Sequence, residues 1–128
     1  MGGGRKPKGP LPAGAVRMDV ESFLSSLLEA LADRPFVRSV DLQTEAIVVR
    51  GRVLLEQGRF LQVYFNEETG TTAFALIEEE QRIWGVDYDD VRGWHVHPVD
   101  NPSQHQDIDP MPPEDVAEAL ADAWQQLP

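Results

Sequence analysis

Hydrophobic residues along this chain keep two rhythms. From residue 20 to 33 they recur every three or four positions, as Val20, Phe23, Leu24, Leu27, Leu28 and Leu31. That spacing lines one face of an α-helix, with Asp19 as N-cap and Pro35 as the stop. A second stripe, Val116, Leu120, Trp124 and Leu127, predicts a helix over 113–127, opened by Pro113 with Glu114 and Asp115 in its first turn. Between the helices lie short β-rich runs at 36–42, 46–55, 59–65, 72–77, 82–88 and 92–98. Gln57–Gly58, the stretch 66–70 and the stretch 78–81 read as turns between them. Five or six strands so spaced predict an antiparallel meander, with both helices packed on one face: a single α+β domain over 18–128. The Gly/Pro-rich opening, "MGGGRKPKGPLPAGAVR", cannot bury enough apolar surface to order itself, and predicts a flexible basic arm over 1–17.

Strand parity turns one cluster of residues into a site candidate. All three histidines, His95, His97 and His105, fall within residues 93–105. Alternate side chains of a strand point to opposite faces. Over 92–98, Trp94 and Val96 therefore take the core face, and His95 and His97 the other. Over 82–88, Trp84, Val86 and Tyr88 take the core face, with Gly85 and Asp87 opposite. A hairpin loop at Asp89 to Val91 would keep these faces unmixed, pairing Val86 with Trp94, Asp87 with Gly93 and Gly85 with His95. Asp87 then sits diagonally from His95. The same parity puts Arg82 on the tryptophan face, at a strand end where its long side chain can wrap round.

Two imidazoles and a carboxylate on one face suit general acid–base chemistry, since an imidazole serves as base or acid near neutral pH. His95 and His97 would be the pair and Asp87 the orienter. RNA carries its own 2′-hydroxyl nucleophile, so cleavage would need neither a protein nucleophile nor a metal or other cofactor. Arg82 and Arg92 would meet phosphate charge, with Asn101 and His105 as further binding residues in the following loop. The same groups also make a metal set: H-x-H with His105, Asp87 or Asp100 offers three N/O donors of the kind an open zinc site uses. The plainest alternative is two histidines decorating an exposed strand and a third in a turn around Pro102. Arg50, Arg52 and Arg59 surround one hairpin, as a local anion or partner patch or as a charged sheet surface.

Charge and composition narrow the partners. The net charge is −11, yet the first 18 residues carry four basic residues and no acid, leaving 7 basic against 22 acidic residues beyond them. Such an acidic body opposes non-specific grip on nucleic acid and suits a basic protein partner. There is no cysteine, which excludes disulfides and thiolate sites. No apolar run approaches a membrane span, so the expected setting is cytoplasmic with no membrane partner.

The stretch "RGRVLLEQGRFLQVYFNEETGTTAFALIEEEQRIWGVDYDDVRGWHVHP" resembles the TumE family of small prokaryotic proteins, toxin components of two-gene toxin–antitoxin loci. The likeness rests on the strand-rich "VLLEQGRFLQV" hairpin, on the aromatic strand from Trp84 to Asp87, and on the later H-x-H of His95 and His97. It implies a toxin-like component with a cognate antitoxin partner, basic and helical, and a nuclease-like activity on RNA; a homodimer is compatible with it. Many members carry adjacent histidines soon after the aspartate. Here "YDDVRG" has none, so whatever activity those histidines carry elsewhere would be lost here or shifted to His105. A non-catalytic binding module, or a small metal-binding protein using the histidine strand as contact surface, is the competing expectation.

Overall fold

The computed structural model describes Gly14, Ala15 and Arg17–Pro128. Helix α1 (Val20–Leu31) is followed by strands β1 (Val37–Glu45), β2 (Val48–Leu55), β3 (Phe60–Asn66), β4 (Thr72–Glu78), β5 (Gln81–Asp89), β6 (Gly93–His97) and β7 (Gln106–Asp107), then by helix α2 (Pro113–Gln126). The strands form one sheet in chain order, every pair antiparallel. This is the predicted α+β meander, with seven strands where five or six were expected. The extra strand, β7, pairs only Gln106 with Val96 and Asp107 with His95, and two residues are too few to show a period.

Helix α1 starts where Asp19 accepts the Ser22 N–H at 2.8 Å. It ends at Leu31, short of the predicted 33, because the chain turns before Pro35, with the Arg34 N–H on the Leu31 carbonyl. Phe23, Leu27 and Leu31 meet Val116, Ala117 and Leu120 of α2 over the inner face of the sheet. There Phe23 stacks flat on Phe65, centroids 4.2 Å apart. Trp124, on the apolar stripe of α2, is half-buried: it stacks on Phe36 at 4.7 Å, and the Arg59 guanidinium lies 4.9 Å from its centroid. Arg59 is itself buried and held by Glu78 at 3.0 Å, so it is separate from Arg50 and Arg52, which stay exposed. Of the predicted arm, Ala15 packs on the core and the Gly14 carbonyl accepts the Trp94 indole N–H. Residues 1–13 and 16 lie outside the described residues.

Two local irregularities position the outer face. The first is the β5–β6 turn. Val91 and Arg92 donate their N–H groups to Asp89 Oδ1 at 2.9 and 2.8 Å, and Gly93 closes the loop at φ +74°. A left-handed residue after a three-residue loop is where glycine is the unstrained choice. The loop is therefore Asp90 to Arg92, not Asp89 to Val91. The register moves accordingly, to Gly85 with His97, Val86 with Val96, Asp87 with His95 and Tyr88 with Trp94. Because the shift spans two residues, no side chain changes face.

The second is a bulge in β5. Leu76 pairs with Trp84, but Ile77 pairs with Arg82, leaving Ile83 as the extra residue. The bulge reverses parity, so Arg82 leaves the tryptophan face expected of it and joins the outer face beside Ile77.

Asp89→Ala is expected to destabilise the domain by about 1 kcal/mol per lost hydrogen bond. The Asp89 carboxyl is held below its ordinary value, chiefly by the Arg92 N–H. Its contribution is then present above the unfolded carboxylate pKa near 4 and lost as pH falls through the lowered folded value. Urea unfolding at pH 7 and in mild acid should show the wild-type advantage shrinking as pH drops.

Candidate functional site

No strand residue chooses its face freely, and both helices cover the inner one. The outer face of β6 presents His95 and His97, opposite Asp87 and Gly85 of β5. The loop after β6 folds back over them. Asn101 donates its N–H to the Pro98 carbonyl at 3.2 Å, Gln104 to the Asn101 carbonyl at 2.9 Å, and the Ser103 hydroxyl to Asn101 Oδ1 at 3.0 Å. That return lays Pro102 and His105 over the strand. His95 and His97 thus occupy the predicted face but are buried, each 3% exposed, which removes the reading of surface decoration.

The ring orientations are set from behind. His97 Nδ1 lies 2.9 Å from the Pro102 carbonyl, and His95 Nδ1 3.2 Å from the Gly93 carbonyl. A carbonyl only accepts, so each Nδ1 carries the hydrogen. Both Nε2 atoms then turn to one carboxylate oxygen, Asp87 Oδ2, at 3.1 Å from His97 and 3.5 Å from His95. The His105 ring closes the group, centroids 4.5 Å from His97 and 5.1 Å from His95. One ring nitrogen from each histidine lies within 4.8 Å of the other two.

This arrangement points lone pairs at one another. With the hydrogen on Nδ1, His97 Nε2 is free to accept, and Asp87 Oδ2 and the two Nε2 atoms converge on one spot. Such a spot calls for positive charge. Arg82 brings some: its Nη1 donates to His97 Nε2 at 2.7 Å and lies 3.8 Å from Asp87 Oδ2. Gly85 lets the arginine pass. A Cβ there would stand 3.4 Å from Arg82 Cδ and 2.8 Å from the Phe74 carbonyl oxygen. His105 is held below the ordinary imidazole value, first by desolvation against its neighbours and then by the charges of Arg92, His97, His95 and Arg82.

Of the residues singled out from sequence, Asp87, His95, His97, His105 and Arg82 come together. Arg92 and Asn101 do not join them. Arg92 belongs to the hairpin turn and reaches the site only through its charge on His105, while Asn101 shapes the covering loop. Asp100, considered as a ligand, is exposed and outside the cluster.

Sequence reasoning missed the surface that continues from the cluster. Across the outer face, Gly85, Ala75, Gln62, Arg52 and Asp41 make one cross-strand row, and Asp87, Ala73, Tyr64, Arg50 and Gln43 the next. All of these but Gly85 line a trough of about 510 Å³ that also reaches Arg82. The signal was present in "TAFALI": Ala73 and Ala75 are the outward positions, too small to fill the face they floor.

Compared with protein-family models, curated proteins and solved structures, the chain matches none.

Gly85→Ala is expected to cost about 1–3 kcal/mol in urea unfolding, because its methyl group meets backbone at Phe74 as well as the Arg82 stem. Ala75→Gly, on the same row but facing open trough, should cost about 1 kcal/mol or less.

Proposed function

We propose that the cluster binds one divalent transition metal ion, zinc by its donor chemistry, through His95, His97, Asp87 and His105. The proposed ion would serve a hydrolytic centre for phosphate esters. The convergence of two Nε2 atoms on Asp87 Oδ2 carries this reading, with Arg82 giving up the His97 Nε2 lone pair to the ion. Zinc bonds to nitrogen and oxygen of about 2.0–2.1 Å place the ligand atoms of a tetrahedron roughly 3.3–3.4 Å apart. The two separations here, 3.1 and 3.5 Å, bracket that edge. Both histidines also donate Nδ1–H to backbone carbonyls, the outer-shell support that orients metal-bound imidazoles and raises their basicity. Imidazole with a single carboxylate favours zinc over the harder magnesium and calcium ions.

The competing acid–base reading asks each imidazole to meet a different proton on the substrate. Here both Nε2 atoms face the same oxygen, and both rings are buried. That geometry suits shared ligation better than separate proton transfers. His105 is the exposed donor. Giving way to water, it would convert a closed four-ligand set into the open three-ligand set of hydrolytic zinc, where bound water ionises near neutral pH.

The biological setting we propose is the toxin-like one that the resemblance to the TumE family implies, with short RNA fragments as substrate. An acidic body is matched by a basic antitoxin, and a hydrolytic centre gives such a partner something to restrain.

Protein purified without chelator is expected to carry one zinc per chain by metal analysis. Zinc should raise the melting temperature of chelator-treated protein, by the equivalent of about 2.7 kcal/mol at one hundred times Kd. His97→Ala and Asp87→Ala should lose both effects while staying folded by circular dichroism. Wild type with no zinc and no thermal response would overturn the metal centre. The toxin role is tested separately, by expressing the chain alone: growth arrest by wild type and not by His97→Ala supports it, and equal growth sinks it.

A further inference from the structure

We propose that the outer-face trough binds a nucleotide-sized phosphate ester, one or two nucleotides long, with phosphate at the Arg82 end and a base on Tyr64. The proposal deepens the metal reading by naming the unit the centre acts on; it rests on that reading for the chemistry, not for the binding.

Size is the first argument. A volume of about 510 Å³ falls within the roughly 300–1,000 Å³ of small-molecule sites. Strands β2 and β5 are three spacings apart, about 14 Å. With arginine side chains reaching in from both sides, that span takes a nucleoside and its phosphate. The floor between them is Ala73 and Ala75, so a ligand can lie close to the sheet.

Chemistry is the second. Arg52 and Arg50 stand on one wall and Arg82 on the other. The first two are held before any ligand arrives. The Arg52 guanidinium lies 4.4 Å from the Phe60 ring centroid, and Arg50 Nη2 donates to Glu45 at 2.9 Å. Planar guanidinium groups match phosphate oxygens two at a time. Between the walls Tyr64 offers an aromatic face for a base, worth stacking energy with any base, and Gln62 beside it offers donors and an acceptor for a base edge. Arg82 and Asp87 belong to both trough and cluster, so phosphate beside Arg82 lies next to the proposed ion.

Charge decides against a long polymer. Three of the 7 basic residues beyond residue 18 line the trough. Two others are engaged elsewhere, Arg34 with Glu118 and Arg59 with Glu78, each at 3.0 Å. A long strand leaving the trough would run over a body with 22 acidic residues, where phosphates are repelled. A short ligand meets only the trough.

The test is binding of AMP, the dinucleotide ApA, inorganic phosphate and a twenty-residue single-stranded RNA, by calorimetry in 50 mM salt, once with EDTA and once with zinc. ApA and AMP are expected to bind at least tenfold more tightly than inorganic phosphate, and no more weakly than the RNA per site. Arg52→Ala and Tyr64→Ala should each weaken ApA at least fivefold without changing zinc content, Arg52→Lys should recover part of the loss, and Arg38→Ala should change nothing. No nucleotide binding in either buffer overturns the proposal, as does RNA binding tenfold tighter than ApA, or Tyr64→Ala without effect. Nucleotide binding in EDTA by protein that takes up no zinc would leave the trough standing and remove the metal centre alone.

Discussion

Alternation along a β-strand sends every second side chain to the other side of the sheet, and here both helices lie on one side only. The inner face is settled by aromatic and aliphatic packing around Phe23, Phe65 and Phe74. The outer face has no helix to bury against, so its residues must satisfy one another. Over β1 and β2 they do so as exposed polar pairs such as Asp41 opposite Arg52. Over β5 and β6 a loop closes on them, and the same polar chemistry is forced into a drier place. His95 and His97 are buried there because of the roof, not because of the sheet. Burial sharpens the need for charge balance, since a carboxylate and imidazole lone pairs interact more strongly away from water.

That balance depends on two departures from regular pairing. Glycine at 93 fixes the turn length and so sets Asp87 directly against His95. The extra residue at Ile83 brings Arg82 round to the histidines. Without the bulge, the guanidinium would stand on the core side and His97 Nε2 would lose its donor. A bulge that re-aims one side chain beside a cluster of titratable groups is a recurrent use of this irregularity.

Parity was the part of this site that sequence could carry. It placed Asp87, His95 and His97 on one face, and it survived a wrong register because the true one differs by two residues, a whole period. It failed for Arg82, since a bulge adds a residue without changing composition or pattern. His105 lay beyond its reach altogether. The loop from Pro98 to Gln104 has no period, and only its backbone turns bring that ring back over the strand. The trough was legible in part: alanines at outward positions of β4 signal an unfilled face, but nothing local says that Arg50 and Arg52 share a cavity with Arg82, three strands further on. Helix positions and the meander order followed from apolar spacing, which long-range packing reinforced instead of overriding.

Every strand in this sheet pairs with its neighbour in the chain, and every member of the cluster falls between Arg82 and His105. The cluster is therefore local in sequence as well as in space, one hairpin and the loop behind it. Nearest-neighbour pairing keeps the entropy of loop closure small, so that hairpin forms contacts with short sequence separation. In evolutionary terms the trough and the cluster are separable: β2 and β3 supply one wall of the trough and no member of the cluster. Substitutions there would alter what the surface admits while leaving the histidines, the aspartate and their roof in place.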